Sequence, residues 1–148
     1  MAISYMELAL EEAKIAADLG EVPVGAVIVS AEGRLLAQAG NRIVTQSDPT
    51  AHAEILAIRA AALVLGSERL TGCDLYVTLE PCTMCAGALS FARVRRLYFG
   101  CADPKGGGVE HGACFFDQPT CHHAPEVYGG IEDVAAAKLL KEFFRARR

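Results

Sequence analysis

Residues 74–101, DLYVTLEPCTMCAGALSFARVRRLYFGC, carry the reading that decides the fold. Asp74 to Leu79 is a short run of apolar and β-branched residues, of strand length, and Leu97 to Cys101 is a second. Between them, Pro81 stands before Cys82 to Phe91, a stretch of small and apolar residues. Proline is tolerated in a first helical turn, where its missing N–H has no partner to lose, so Pro81 is read as opening a helix. The segment therefore reads strand, helix, strand.

Outward toward the N-terminus, Val22 to Val29 is apolar and β-branched, and Arg34 to Ala39 is a second strand across the Ser30–Gly33 turn, which makes a hairpin. Over about residues 4–19, Ile3, Met6, Leu8, Leu10, Ile15 and Leu19 recur among glutamates and alanines, and Gly20 stops the helix they predict. Asn41 to Thr50 is polar, contains Asp48-Pro49, and reads as a loop; Ala51 to Leu65 is a strongly apolar helix ended by Gly66. Toward the C-terminus, Ala102 to Gly130 is rich in glycine, proline and histidine, so long loops are expected, with a short helix or strand around Glu126 to Tyr128. A last helix runs from about Glu132 to Arg145. A hairpin followed by this alternation implies an α/β fold, a mixed sheet with helices on both faces, and a site where strands hand over to helices. No repeat or linker divides the chain, so 1–148 is expected to be one domain.

The whole chain agrees. A chain of 148 residues is ample for a single core. With 52% hydrophobic and 22% charged residues and a mean hydropathy of +0.26, global disorder is excluded. Fourteen basic against eighteen acidic residues leave a net charge of −4, which argues against nucleic-acid binding driven by overall charge. Local basic patches remain: Arg93, Arg95 and Arg96, and the tail Lys138, Lys141, Arg145, Arg147 and Arg148, all equally readable as solvent-facing charges. Glu7, Glu11 and Glu12 interrupt the N-terminus, so neither a signal nor a transit peptide is read there. Ala60 to Leu65, the longest apolar stretch, is far short of the ~20 residues that span a bilayer. A cytoplasmic protein without membrane partners is expected. Six cysteines then point to metal binding or buried thiols. Cys82 and Cys85 have ligand spacing; Cys73, Cys101, Cys114 and Cys121 read as ordinary small residues.

Catalytic zinc needs three protein ligands and one open position for water, where structural zinc is closed by four. Cys82 and Cys85, three apart at a helix start, set both sulfurs on one face within a turn, and His52 supplies a nitrogen from the start of the preceding helix. Both helix N-termini would aim their positive ends at the site and favour thiolates. One Zn²⁺ per chain is expected there, lowering the pKa of a water in the open position. Glu54, two residues beyond His52, lies near the metal without having to be a ligand and is the candidate proton carrier. Alone, His-x-Glu fits a helix cap or a core histidine, and Cys-x-x-Cys fits a redox pair. Together, His52-Ala53-Glu54 and Pro81-Cys82-Thr83-Met84-Cys85, each opening a helix, resemble the signature of zinc nucleobase deaminases.

The flanks resemble one family in particular, the bacterial tRNA-specific adenosine deaminases. The likeness runs through Glu21-Val22-Pro23-Val24-Gly25-Ala26, Asn41-Arg42, Asp48 to Ile55, Leu75 to Cys82 and the ending Phe143-Phe144-Arg145-Ala146-Arg147-Arg148. It implies a three-layer α/β/α sandwich around a mixed, roughly five-stranded sheet, and a homodimer. It also implies conversion of the wobble adenosine of a tRNA anticodon loop to inosine, by attack at C6 with loss of ammonia. Asn41, Ala53 and Asp103 are then implied as substrate contacts, and no organic cofactor is implied. Asn41 equally fits a turn at a strand end, and Asp103 an Asp-Pro turn with Pro104. Lys105 with Gly106 to Gly108 is a candidate phosphate contact or a mobile loop. One of Phe143 and Phe144 should face the site and the other the core. Phe115 to Pro125 departs from the family pattern; Cys121-His122-His123 reads there as a surface loop or a second metal site. Two other functions compete: a small-molecule deaminase of guanine, cytosine or a pyrimidine nucleotide, which the net charge favours, and a zinc-stabilised RNA-binding module, against which Glu54 argues.

Overall fold

The computed structural model describes residues 4–147. Ile3 in the opening helix and Arg148 in the basic tail lie outside the described residues. In chain order the elements are α1 (Tyr5–Asp18), β1 (Gly25–Val29), β2 (Leu35–Gly40), α2 (Ala53–Leu65), β3 (Asp74–Leu79), α3 (Thr83–Ala92), β4 (Arg96–Cys101), a single 3-10 turn at Phe115–Asp117, β5 (Glu126–Tyr128) and α4 (Asp133–Arg145). The strands form one sheet in the order β2-β1-β3-β4-β5. β1 is antiparallel to both its neighbours, while β3, β4 and β5 are parallel, so the sheet is mixed as expected.

Strand alternation divides the core into two. Ala26, Ile28, Leu75, Val77, Leu97 and Phe99 point to the face covered by Ala53, Ala57 and Ala61 of α2 and by Ala86 and Leu89 of α3. Val27, Tyr76 and Tyr98 point to the opposite face, under Met6, Ala9 and Leu10 of α1 and Ala136 of α4. Both faces being covered is why the central strands read as nearly continuous apolar runs. Leu75, Leu89 and Leu97 are fully buried, each stabilising the fold by about 1.5–3 kcal/mol. α1 lies directly on the hairpin because Gly25 has no side chain: a Cβ there would run into the Ala9 carbonyl and the Ala13 nitrogen.

Several boundaries differ from the sequence reading, by one to three residues. β1 begins at Gly25, not Val22, because Pro23 has no N–H to give a ladder. α2 begins at Ala53 and α3 at Thr83; His52 and Cys82 are extended N-cap residues with ψ of 152° and 174°. Pro81 therefore precedes the cap and is not in the first turn. In the long segment after β4, the expected short element at 126–128 is β5, paired with β4 from Arg96↔Glu126 to Tyr98↔Tyr128.

Candidate metal centre and active site

His52 and Cys82 stand at the N-termini of neighbouring helices on one face of the sheet, and neither caps its own helix with its side chain. Asn41 does this for α2: its Oδ1 accepts from the Ala53 N–H at 2.8 Å, while its Nδ2 donates to the Val22 carbonyl at 3.2 Å. The imidazole of His52 is thereby left for the sulfurs. Its Nδ1 lies 3.7 Å from Cys82 Sγ and 3.6 Å from Cys85 Sγ.

These separations fit zinc. Tetrahedral bonds of about 2.3 Å to sulfur and about 2.0–2.1 Å to nitrogen put neighbouring N and S donors about 3.5–3.6 Å apart. Among the described residues, His52, Cys82 and Cys85 are the one such group placed to hold a metal ion. Three donors leave the fourth position open, the pattern of a catalytic site. The Cys82 thiol is lowered to about 4, first by its hydrogen bond with Cys85 and, against burial, by its bond with His52. Helix N-termini on both sides favour the same anionic form.

Glu54, in the first turn of α2, is buried beside this group. Burial pushes its carboxyl up to about 7; its own backbone N–H works against the rise and the Cys82 charge adds to it. A buried carboxyl beside the donors is placed to exchange protons with a water there. The structure thus brings His52, Glu54, Cys82 and Cys85 together, with Asn41 and Ala53 tied to the start of the same helix. Asp103 lies on the loop after β4. Its Oδ1 accepts from the Lys105 and Gly106 N–H groups at 3.2 and 3.0 Å, so it builds a turn, as the alternative reading had it. With Lys105, Val22, Leu79 and Phe144 it lines a cleft of about 450 Å³. A larger cleft of about 1000 Å³ lies between α4 and the β4–β5 side, and neither cleft is lined by the metal ligands or Glu54; the donor set, not a cavity, locates the chemistry.

Phe143 is the core residue of the pair and Phe144 the exposed one. The guanidinium of Arg147 sits 3.5 Å over the Phe143 ring. Of the Arg93, Arg95, Arg96 cluster, Arg95 is bound to Asp74 at 2.9 Å and Arg96 to Glu126 at 2.6 Å, while Arg93 donates to the His122 carbonyl at 3.4 Å. The Cys121-His122-His123 segment is a loop pinned to the end of α3: Cys121 Sγ lies 3.6 Å from Ser90 Oγ, and His123 Nε2 lies 2.7 Å from the Val94 carbonyl. It forms no second metal cluster among the described residues.

Sequence reading missed two buried carboxylates. Glu21 accepts from the Val44 and Thr45 N–H groups and from Thr45 Oγ1 at 3.1, 2.7 and 2.6 Å, fixing the loop before α2. Glu80 accepts from the N–H groups of Asp103, Val109, Glu110 and His111, fixing the loop after β4. Burial alone would raise the Glu80 carboxyl, but these bonds and the His111 ring hold it below its ordinary value. For Glu80 the available signal was a charged residue directly after the apolar strand β3.

A family model described as the cytidine and deoxycytidylate deaminase zinc-binding region matches residues 2–101. A tRNA-specific adenosine deaminase of Agrobacterium fabrum (strain C58 / ATCC 33970) is 60% identical over 144 residues, covering 97% of this chain and 94% of that protein. One from Aquifex aeolicus (strain VF5) is 46% identical, again covering 97% and 94%. A solved structure from studies of A-to-I editing by tRNA:A34 deaminases at the wobble position of transfer RNA superposes with a TM-score of 0.90 at 61% identity, covering 92% of this chain and 98% of that one. A guanine deaminase from Nitrosomonas europaea superposes with a TM-score of 0.82 at 25% identity, covering 97% and 85%. The family match runs through both ligand segments, and the relatives carry the likeness on through α4: the chain belongs to the cytidine and deoxycytidylate deaminase zinc-binding family, among the tRNA-specific adenosine deaminases.

Proposed function

We propose that this protein hydrolyses the wobble adenosine of a tRNA anticodon loop to inosine, releasing ammonia. The observation that carries the chemistry is the three-donor group His52, Cys82 and Cys85 with a buried carboxyl, Glu54, in the adjoining helical turn. The substrate is supported by the 60% identity to a tRNA-specific adenosine deaminase over nearly the whole chain. His52, Cys82 and Cys85 hold one Zn²⁺, which when bound supplies Lewis-acid activation of water. Glu54 accepts one proton of the attacking water and passes it to a ring nitrogen; it then takes the second from the hydroxyl left on C6 and gives it to the departing amine as the C–N bond breaks. Asn41 keeps one amide proton and one oxygen lone pair beyond the bonds it makes, enough to pair with a base edge. Ala53 is fully buried in the core and gives its N–H to Asn41, so its part is to hold the Asn41 amide in place. Asp103, Lys105 and Phe144 face the neighbouring nucleotides across their cleft.

A homodimer fits the outer surface of α2 and α3. Leu63 and Phe91 are 84% and 80% exposed, and Met84 is also exposed. Among the described residues no helix is long and apolar enough to cross a membrane. All six cysteines are free, which suits the reducing cytoplasm as the place of action.

The reading is tested with zinc-loaded protein and two synthetic anticodon stem-loops, one with adenosine at the wobble position and one with the adenosine moved to a neighbouring position. Inosine is expected in the first alone. Equal conversion of both would remove the wobble assignment.

A further inference from the structure

The Glu80 carboxylate is wholly buried, although it belongs to neither the metal group nor the cleft. Oε1 accepts from the Asp103 N–H at 3.0 Å and lies 2.8 Å from His111 Nδ1. Oε2 accepts from Val109, Glu110 and His111 at 3.2, 2.9 and 3.1 Å. One side chain thus receives four backbone N–H groups from a single loop, 103–111. The next residue continues the attachment, since the Pro81 carbonyl accepts from Gly108 N–H at 2.8 Å. The loop is shaped to fit this anchor. A Cβ on Gly107 would collide with the Glu80 carboxylate, and one on Gly108 with the backbone of Thr83, the first residue of α3. Two residues after Glu80 the chain reaches the metal ligand Cys82; at the loop's other end stand Asp103 and Lys105, which line the cleft.

We infer that Glu80 is a positioning residue that sets the 103–111 loop against the start of the metal-bearing helix, and so fixes where the nucleotides beside the target base are held. A buried acceptor with several donors around it is costly to replace, because each donor loses its partner in a place water does not reach. The carboxamide of Glu80→Gln retains shape but turns one end into a donor facing N–H groups. His111→Ala removes only the ring bond at a partly exposed position. The role rests on the proposed RNA substrate for its kinetic consequence and on the fold alone for its structural one.

The test uses zinc-loaded wild-type, Glu80→Gln and His111→Ala proteins. Hydrogen exchange is followed by mass spectrometry without RNA, and steady-state kinetics are measured on the wobble-adenosine stem-loop. Protection should fall within residues 103–111 and be unchanged in β1, β3 and β4, with zinc still at one per chain. KM should rise about tenfold in Glu80→Gln and about threefold in His111→Ala, with kcat within about threefold of wild type. Unchanged protection and KM in both variants would overturn the role. So would loss of zinc and of sheet protection with KM and kcat worsening together in both, the mark of general destabilisation. If Glu80→Gln does not fold, His111→Ala decides. A wild-type protein inert on the stem-loop would sink the wobble reading, and the exchange data would still decide the role of Glu80.

Discussion

Glu54 separates an enzyme from a zinc-stabilised binding module, because a purely structural metal site has no use for a buried carboxyl beside it. Glu54→Gln keeps the shape of the side chain and removes its capacity to carry protons. Deamination should fall by about 10²–10⁴-fold, measured as inosine by mass spectrometry, while metal analysis still finds one zinc per chain. Zinc lost together with activity would make Glu54 part of the metal's support instead. This part of the site was legible in sequence because its information is local: His52 and Glu54 are two apart, Cys82 and Cys85 three, and each pair marks a helix start. The Asn41 cap on Ala53 was not legible as such. It joins residues 12 apart through a loop whose path is set elsewhere, so only the folded chain shows that the amide holds the helix that carries His52.

At the scale of elements, the loop between β2 and α2 depends on Glu21, in the connection between α1 and β1. Burial by itself would raise this carboxyl, but the bonds from Thr45 and Val44 and the nearby Arg42 charge hold it below its ordinary 4.5. The sign follows from linkage: a carboxylate depressed in the fold contributes stability that is complete above its unfolded value and is lost as pH falls through the lowered one. The urea midpoint of Glu21→Gln should therefore lie below that of wild type near neutrality, with the gap closing as pH falls below about 4.5. A gap independent of pH would show that the side chain acts by shape alone. The elements themselves were largely readable, since α2, α3, β3 and β4 are defined by apolar runs and by Pro and Gly punctuation. The segment from Ala102 to Gly130 was not, because its order comes from Glu80, 23 to 31 residues away from the groups it binds, and no periodicity records such a bond.

For the whole molecule, sequence composition pointed two ways: the net charge of −4 favoured a small-molecule substrate, and the flanking motifs favoured tRNA. The folded chain shows that Arg95 and Arg96 are spent on internal ion pairs, and that Lys105 and Phe144 border the cleft. It also shows α2 apolar on its outer side as well as its inner, with Leu63, Val64 and Leu65 exposed. If that surface joins two copies, light scattering will give about twice the 15.7 kDa of the chain, and Leu63→Asp with Phe91→Asp will reduce it to one chain. A wild-type monomer at working concentration would contradict the dimer. The central claim is tested most directly by competition, with the zinc-loaded protein given a wobble-adenosine anticodon stem-loop, free adenosine, guanine, cytidine and cytosine together, and each product followed by mass spectrometry. Inosine at the wobble position is expected, with the free bases and nucleosides untouched. Deamination of guanine or any other free compound beside an unchanged stem-loop would contradict it and make this a small-molecule deaminase.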